Sequence, residues 1–172
     1  KITHYSYGRY GSSTTIELEN ILKELENAYH VFLTGTGFGG IALALMSLCR
    51  PGDEILVSDN VYGPTKEISQ ELMREFEVNA KFYNPESFED LKEKISKKTK
   101  MILVENPGSN TFEFQDLSKI VALAKKNKIY TAIDNTWGTP YFLKPIKLGF
   151  DMSIVSATKY YSGHSDVMGG SL

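Results

Sequence analysis

The chain has 172 residues, of which 41% are hydrophobic and 23% are charged, a composition that is ordinary for a globular domain and argues against disorder. The formal net charge of −2 gives no electrostatic reason to expect nucleic acid or an anionic membrane as partner, so a small-molecule ligand is expected. A single cysteine, Cys49, cannot form an internal disulfide, and no apolar run approaches the roughly 18 residues of a membrane span, so we expect a cytoplasmic protein.

The N-terminal part of the chain changes character at residue 14. Residues 1–13 are polar, aromatic and glycine-bearing without helical periodicity, so we predict an extended arm, followed by one domain over residues 14–172. From Thr14 onward, apolar residues at helical spacing predict an amphipathic helix, with Ser13 or Thr14 as N-cap and Glu17 in a capping box. A strand at about 31–34 and a glycine-rich loop then lead into a helix that runs through Leu48.

The remainder of the chain alternates between strand and helix patterns. Strands are predicted in the segments RPGDEILVSD, NAKFYN, MILVEN, IYTAID, DMSIVSATK and DVMGGSL, and helices over residues 64–76 and in SFEDLKEKISKKT and LSKIVALAKKNK. This alternation predicts the α/β class, as a three-layer αβα domain with a mostly parallel sheet.

The glycine-rich loop allows a first functional hypothesis. Gly35, Gly37 and Gly40 match the pattern G-x-G-x-x-G after a short strand, and Asp59 follows the next strand, where a ribose-binding acid is expected. These features alone are typical of an NAD-dependent dehydrogenase. The same loop at a helix N-terminus is equally suited to the phosphate of another ligand.

The residues at the predicted strand ends favour that second interpretation. Pyridoxal phosphate requires a lysine that holds it as a Schiff base, a carboxylate beside its ring nitrogen, and amides and hydroxyls around its phosphate. Lys159 and Asp134 meet the first two needs, and Ser156 and Thr158 flank the lysine with hydroxyls. Tyr62, just after a strand end, is placed to stack on the cofactor ring.

The segment IDNTWGTPYFLKPIKLGFDMSIVSATKYYSGHSDVMGG resembles the transsulfuration family of pyridoxal-phosphate-dependent enzymes, which contains cystathionine lyases and synthases and methionine γ-lyase. The resemblance rests on D-N-T followed by S-x-T-K-Y-x-x-G-H-S-D, and ENPGSNTFEFQD together with DNTW is most similar to the bacterial cystathionine β-lyases. It implies the large domain of a fold type I pyridoxal phosphate enzyme. The implied activity is a carbon–sulfur lyase that cleaves cystathionine to homocysteine, pyruvate and ammonia.

The resemblance also implies roles for individual residues. Lys159 is the implied cofactor anchor and proton-transfer residue, and Asp134 the partner of the ring nitrogen. Tyr62 matches the tyrosine that stacks on the cofactor and assists at the substrate amine. The implied phosphate-binding residues are Gly37, Phe38, Ser156 and Thr158.

Two further implications concern the assembly and the extent of the chain. Tyr7 and Arg9 match a Y-x-R segment that reaches the neighbouring subunit's phosphate site, which implies a homodimer or homotetramer. The family's C-terminal domain, which supplies an arginine for the substrate carboxylate, is not in these 172 residues, so we expect a fragment of a longer protein. The alternatives are a folded fragment without turnover and another family member, such as a γ-lyase or γ-synthase.

Four other residues have simpler interpretations. His164 and Asp166 lack a third ligand at suitable spacing, so a structural histidine is favoured over a metal site. Glu105 is expected to make structural hydrogen bonds at a strand end in preference to acting as a second catalytic carboxylate. Trp137 is expected to pack near the cofactor pocket.

Overall fold

The computed structural model of the protein describes residues 7–172. A 3-10 turn, Gly8–Tyr10, precedes the α-helices α1 (Ser13–Glu26), α2 (Gly37–Leu48), α3 (Gly63–Glu67), α4 (Met73–Glu75), α5 (Phe88–Lys94), α6 (Leu117–Asn127), α7 (Thr139–Phe142) and α8 (Pro145–Leu148). The strands are β1 (Leu33–Thr34), β2 (Glu54–Ser58), β3 (Asn79–Tyr83), β4 (Thr99–Glu105), β5 (Tyr130–Asp134), β6 (Met152–Ile154) and β7 (Gly170–Ser171). Within residues 7–172, no helix combines the length and the apolar content that a membrane crossing requires.

Five of the strands form one parallel sheet in the order β3-β2-β4-β5-β6. Strands β1 and β7 form an antiparallel pair in which Leu33 lies opposite Ser171. A bridge between Val155 and Ser171 connects this pair to the β6 edge of the sheet. The predicted mostly parallel α/β sheet is therefore confirmed.

The side chains of the central strands alternate between two hydrophobic cores, one on each face of the sheet. Met101 and Leu103 of β4 belong to a core that includes Leu45 of α2. Ile102 and Val104 of the same strand belong to the other core, with α5 and α6. Helices thus cover both faces, which confirms the three-layer αβα architecture and leaves the strand ends free to carry the site.

The N-cap of α1 differs from the prediction. Ser12, and not Ser13 or Thr14, is the N-cap: its hydroxyl accepts a hydrogen bond from the Thr15 N–H at 3.2 Å, and the Thr15 hydroxyl accepts from the Ser12 N–H at 2.8 Å. The predicted capping role of Glu17 is therefore wrong. Since a hydroxyl at the third helical position closes the same reciprocal pair as a glutamate, the spacing alone could not fix the first residue of the helix.

The arm also differs in part from the prediction. Residues 8–10 form a 3-10 turn where an extended segment was expected, and Gly11 then adopts φ 103° before α1 begins. A glycine accepts this left-handed conformation without the Cβ clash that other residues incur. The rest of the predicted arm, residues 1–6, lies outside the described residues.

The C-terminal half has more short elements than predicted. The strand expected in DMSIVSATK contains three residues, Met152–Ile154, and helices α7 and α8 occupy a stretch without a prediction. Each of these two helices has a proline in its first turn, where the missing N–H has no helical acceptor to lose. The helix predicted over 64–76 contains a π-helical turn, Ile68–Leu72, between α3 and α4.

Candidate active site

A cavity of about 810 Å³ lies at the carboxyl end of the parallel sheet. It brings together most of the residues that the sequence analysis selected: Gly37, Phe38, Tyr62, Asp134, Ser156, Thr158 and Lys159. The other lining residues are Thr36, Ile41, Glu105, Ser109, Thr136, Trp137, Tyr160, Gly163, Ser165 and Met168. A cavity of this volume is large enough for a cofactor-sized ligand.

One end of the cavity is suited to an anion. The hydroxyl of Thr36 caps α2 by accepting from the Gly39 N–H at 2.9 Å, so Gly37 and Gly40 of the predicted loop lie in the first turn of the helix and Gly35 precedes the N-cap. The first N–H groups of a helix have no acceptor inside it, and the helix dipole places positive potential there. Gly37 also packs tightly on Ser156: a Cβ at residue 37 would lie 2.6 Å from the Ser156 Cβ. Only glycine therefore allows α2 to approach this residue.

The two predicted hydroxyl ligands differ in their availability. The Ser156 N–H donates to the Thr136 hydroxyl at 2.9 Å, and its own hydroxyl makes no hydrogen bond within residues 7–172. The Thr158 hydroxyl, in contrast, donates to the Gly169 carbonyl at 3.2 Å and accepts from the Gly169 N–H at 3.1 Å. Ser156 is thus free to bind a phosphate oxygen, whereas Thr158 joins the lysine segment to the approach of β7.

Lys159 lies in a tight turn beyond β6, where its N–H donates to the Ser156 carbonyl at 3.0 Å. The residue is exposed on the open side of the cavity. The segment DMSIVSATK was predicted as one strand, but β6 ends at Ile154 and the chain turns out of the sheet before the lysine. Its ammonium group still belongs to the cavity, and its positive charge acts on Asp134.

Two carboxylates stand side by side on the cavity floor. Glu105 ends β4, Asp134 ends β5, and the two are direct partners across these parallel strands. Burial, and secondly the charge of Asp134, raise the pKa of Glu105 to about 8. Burial also raises the pKa of Asp134, against hydrogen bonds from Thr136 and the positive charge of Lys159. The Thr136 N–H donates to Asp134 Oδ1 at 2.9 Å.

Glu105 also positions Tyr62. The Tyr62 N–H donates to Glu105 Oε2 at 2.7 Å, which confirms the expected structural role of this glutamate. Tyr62 itself is the N-cap of α3, and its half-exposed ring lines the cavity. A long-range contact between residues 43 positions apart thus places the tyrosine over the same floor that carries Asp134.

An aromatic wall borders the mouth of the cavity. Trp137 makes an edge-to-face contact with Phe112, with ring centroids 5.1 Å apart, and a tilted contact with Tyr160 at 6.2 Å. The expected position of Trp137 beside the pocket is confirmed. Tyr160 was not among the predicted site residues, although its position directly after Lys159 was a usable signal. Phe112 could not be recognised because it comes from a separate loop.

Tyr7 and Arg9 lie outside this cavity. Both are exposed, and the Arg9 guanidinium carbon sits 5.5 Å from the centroid of the Tyr7 ring and 5.4 Å from that of Tyr10. The structure of a single chain does not bring them to the site, so their role in a neighbouring subunit stays a prediction.

Asp59 does not lie where the dinucleotide hypothesis requires a ribose-binding acid. Asp59 forms an ion pair with Lys66 at 2.8 Å and lines a different cavity, so it does not lie with Gly37 and Phe38. His164 is exposed, with its Nδ1 2.6 Å from the Ser162 carbonyl oxygen. Among the described residues, no group of three or more histidine, cysteine, aspartate or glutamate side chains is arranged to hold a metal ion.

The donor set of the cavity fits pyridoxal phosphate. The α2 N-terminus and the Ser156 hydroxyl would bind the phosphate, and the side-chain amine of Lys159, in its unprotonated form, would bind the aldehyde. Asp134 is buried in a site of low polarity, and the protonated ring nitrogen would be the cationic partner of its carboxylate. The close packing of Gly37 on Ser156 forms the cradle that brings the phosphate donors together.

Comparison with known proteins agrees with this chemistry. The family described as "Cys/Met metabolism PLP-dependent enzyme" matches residues 1–172. A Saccharomyces cerevisiae relative, whose name assigns it provisionally as a cystathionine beta-lyase, is 40% identical over 95% of this chain and 48% of its own length. The cystathionine beta-lyase of Bordetella avium is 35% identical over 97% of this chain and 42% of its own length. The cystathionine gamma-lyase of Bacillus subtilis is also 35% identical, over 98% of this chain and 44% of its own length.

A solved structure shares the fold and carries the expected chemical group. A Campylobacter jejuni protein, determined with a pyridoxyl-lysine monophosphate residue, superposes with a TM-score of 0.91 at 30% identity over 96% of this chain and 41% of that chain. The chain therefore spans less than half the length of these relatives. The family match over the whole sequence, together with the cavity, shows that the chain belongs to the Cys/Met metabolism family of pyridoxal-phosphate-dependent enzymes.

Proposed function

We propose that the chain forms the cofactor-binding part of a carbon–sulfur lyase of the cystathionine β-lyase type. The observation that carries this proposal is the single cavity in which Lys159, Asp134 and the N-terminus of α2 meet. Each of these groups serves a different part of pyridoxal phosphate, and a dehydrogenase would leave the lysine and the aspartate without a role.

When bound, the cofactor supplies an aldehyde that combines with an amine and a ring that accepts electron density from the substrate α-carbon. Lys159 Nζ holds the aldehyde before substrate arrives and, once released, takes the proton from the α-carbon. Asp134 balances the positive charge of the ring nitrogen. Tyr62 bounds the space above the ring and is placed to assist the substrate amine.

The proposed overall reaction is cystathionine and water to homocysteine, pyruvate and ammonia. The thiolate leaves from the β-carbon, and the three-carbon remainder takes up water and releases ammonia. The aromatic wall of Trp137, Phe112 and Tyr160 offers apolar and polarisable contacts to the thioether arm of such a substrate. A γ-lyase would instead release cysteine and 2-oxobutyrate, so the two ketoacids distinguish the β and γ reactions.

The first experiment tests the covalent anchor. The purified chain is incubated with pyridoxal phosphate, its visible spectrum is recorded, and borohydride reduction is followed by peptide mass mapping. We expect the original chain to show a yellow absorption band and to carry the reduced cofactor on Lys159. Lys147→Ala changes an exposed lysine of α8 and serves as the control, so it should give the same band and the same label. Lys159→Ala should lose both the band and the label. Labelling of another lysine in the folded chain would contradict the proposal.

The proposal extends to self-association. Tyr7 and Arg9 are exposed and stack on each other outside their own chain's cavity, which supports a role for Arg9 as a phosphate ligand in the site of a second copy. Arg9→Ala removes one charge-assisted hydrogen bond to the phosphate, so it should then weaken pyridoxal phosphate binding by about tenfold to a hundredfold. A monomer in sedimentation equilibrium, with an Arg9→Ala variant that binds the cofactor as well as the original chain, would contradict it.

A further inference from the structure

The carboxylate pair on the cavity floor raises a question of charge. Glu105 is 4% exposed, and Asp134 is its direct partner on the next strand of the sheet. Adjacent strands are about 4.8 Å apart, so two ionised side chains at this register repel each other strongly in a poorly solvated site. Two like charges so close are not both kept unless a cation or several donors compensate them.

We propose that Glu105 is a positioning residue that keeps a proton at neutral pH, so that Asp134 is the single ionised carboxylate on the cavity floor. The consequence for the cofactor rests on the proposed function: one carboxylate matches the one positive charge of the ring nitrogen. The protonated Glu105 keeps the Tyr62 N–H in place without adding a second negative charge.

The surroundings decide which of the two carboxyl groups carries the charge. The titratable groups that line the cavity with Glu105 are Asp134 from β5, Tyr62 from the start of α3, and Lys159 and Tyr160 from beyond β6. The positive charge of Lys159 and the hydrogen bonds from Thr136 favour an ionised Asp134 and act against the burial that raises the pKa of this carboxyl. Hydrogen bonds from the Tyr62 N–H and the Ser109 hydroxyl lower the pKa of the Glu105 carboxyl, but burial outweighs both and raises this pKa to about 8.

A buried hydrogen-bond network holds Glu105 in this position. Gln115 Nε2 donates to the Glu105 carbonyl at 3.2 Å and to the Ser58 hydroxyl at 3.0 Å, and Gln115 Oε1 accepts from the Tyr83 hydroxyl at 2.7 Å. The ends of β2, β3 and β4 are thereby joined beneath the cavity. This network fixes the Glu105 main chain, and the Tyr62 N–H holds the carboxyl group at 2.7 Å. Turning the side chain away would break that second hydrogen bond, whereas taking up a proton relieves the repulsion and keeps it.

The test measures the stability of the cofactor-free chain against pH, so it does not depend on cofactor binding. Glu105 retains its proton in the folded state to about pH 8 but loses it near pH 4.5 when unfolded, so its contribution to stability falls as pH rises between these values. Glu105→Gln mimics the protonated acid and can still accept from Tyr62. Between about pH 5 and about pH 8, its folding equilibrium should improve on the order of 100-fold relative to the original chain.

Glu54 provides a matched control with the opposite sign. It is also a buried strand glutamate, at the other end of the sheet. Burial raises its pKa, but hydrogen bonds from Lys81 and Ser96 outweigh that effect and hold the pKa of Glu54 below its ordinary value. Glu54→Gln should therefore be less stable than the original chain at neutral pH, and this difference should shrink on acidification.

The pH dependence of the stability difference between Glu105→Gln and the original chain decides the proposal. A Glu105→Gln difference that grows with pH supports it, and a difference that is constant or reversed overturns it. If Glu105→Gln does not fold, infrared spectra of the original chain decide instead: a protonated carboxyl band that persists at pH 7 and disappears by about pH 9 supports the proposal, and its absence at pH 7 overturns it. Borohydride labelling of Lys159 in the same preparation tests the proposed function separately, because either result can occur without the other.

Discussion

Gly37→Ala tests the close approach of α2 to the lysine segment. The added Cβ would lie 2.6 Å from the Ser156 Cβ and 2.8 Å from its Cα. Carbon atoms in contact sit about 3.5–4.0 Å apart, so the helix and the Ser156 backbone would have to separate by about 1 Å. A flexible side chain cannot absorb this movement, because one of the two contacts is a main-chain atom.

The expected cost follows from that movement. Overpacking of this kind destabilises a protein by about 1–3 kcal/mol, and replacing a helical glycine with alanine returns at most about 1 kcal/mol. We therefore expect Gly37→Ala to lose about 1–2 kcal/mol of unfolding free energy. Separation of Ser156 from the α2 N-terminus should also remove one charge-assisted hydrogen bond to the phosphate, which weakens pyridoxal phosphate binding by about tenfold to a hundredfold.

The assay is urea denaturation followed by circular dichroism, together with cofactor titration followed by visible absorbance. Gly35→Ala is the matched control, since a Cβ at that glycine has no heavy atom within 4 Å. It should match the original chain in both measurements. A Gly37→Ala variant as stable as Gly35→Ala, with the same cofactor affinity, would refute the argument that this glycine forms the phosphate cradle.

Three further predictions concern single contacts. Tyr83→Phe leaves Gln115 Oε1 buried without its donor, so the urea midpoint should fall by the equivalent of about 1–3 kcal/mol, and an unchanged midpoint would contradict the role of the network. Asp134→Asn removes the partner of the ring nitrogen, so the dissociation constant of pyridoxal phosphate, measured by absorbance, should rise at least about tenfold; equal affinity would argue against that pairing. Ser12→Ala should cost about 1 kcal/mol in thermal or urea unfolding, with Ser13→Ala as the control, and equal losses would contradict the assigned N-cap.

Local patterns were sufficient for most of the secondary structure and for the main chemistry of the site. The strands β2, β4 and β5 contain apolar runs because both faces of the sheet are covered at its centre, and α6 keeps an apolar face at helical spacing. Lys159, Asp134 and Ser156 could be found because chemistry-bearing residues stood directly after predicted strands. Parallel strands end at one edge of the sheet, so their position in the sequence already implied proximity.

Other local features were ambiguous in the sequence because two arrangements were nearly equivalent. Either a glutamate or a threonine at the third helical position completes a capping box, so the pair of Thr14 with Glu17 was as plausible in the sequence as the observed pair of Ser12 with Thr15. The segment DMSIVSATK was predicted as one strand that extends to Lys159. The chain in fact leaves the sheet after Ile154, where it must turn to meet β7.

The sequence by itself determined the α/β alternation, the family and the residues with chemical potential. Only the tertiary structure decided how those residues act on one another. Glu105 and Asp134 are register partners on adjacent strands, and Gln115 connects the ends of three strands by hydrogen bonds. The Thr158 hydroxyl is hydrogen-bonded to the Gly169 carbonyl. These contacts join positions that are far apart in the chain, and they depend on strand register and on the turn taken after each strand. Neither quantity is encoded within a window of neighbouring residues, whereas hydrophobic periodicity is.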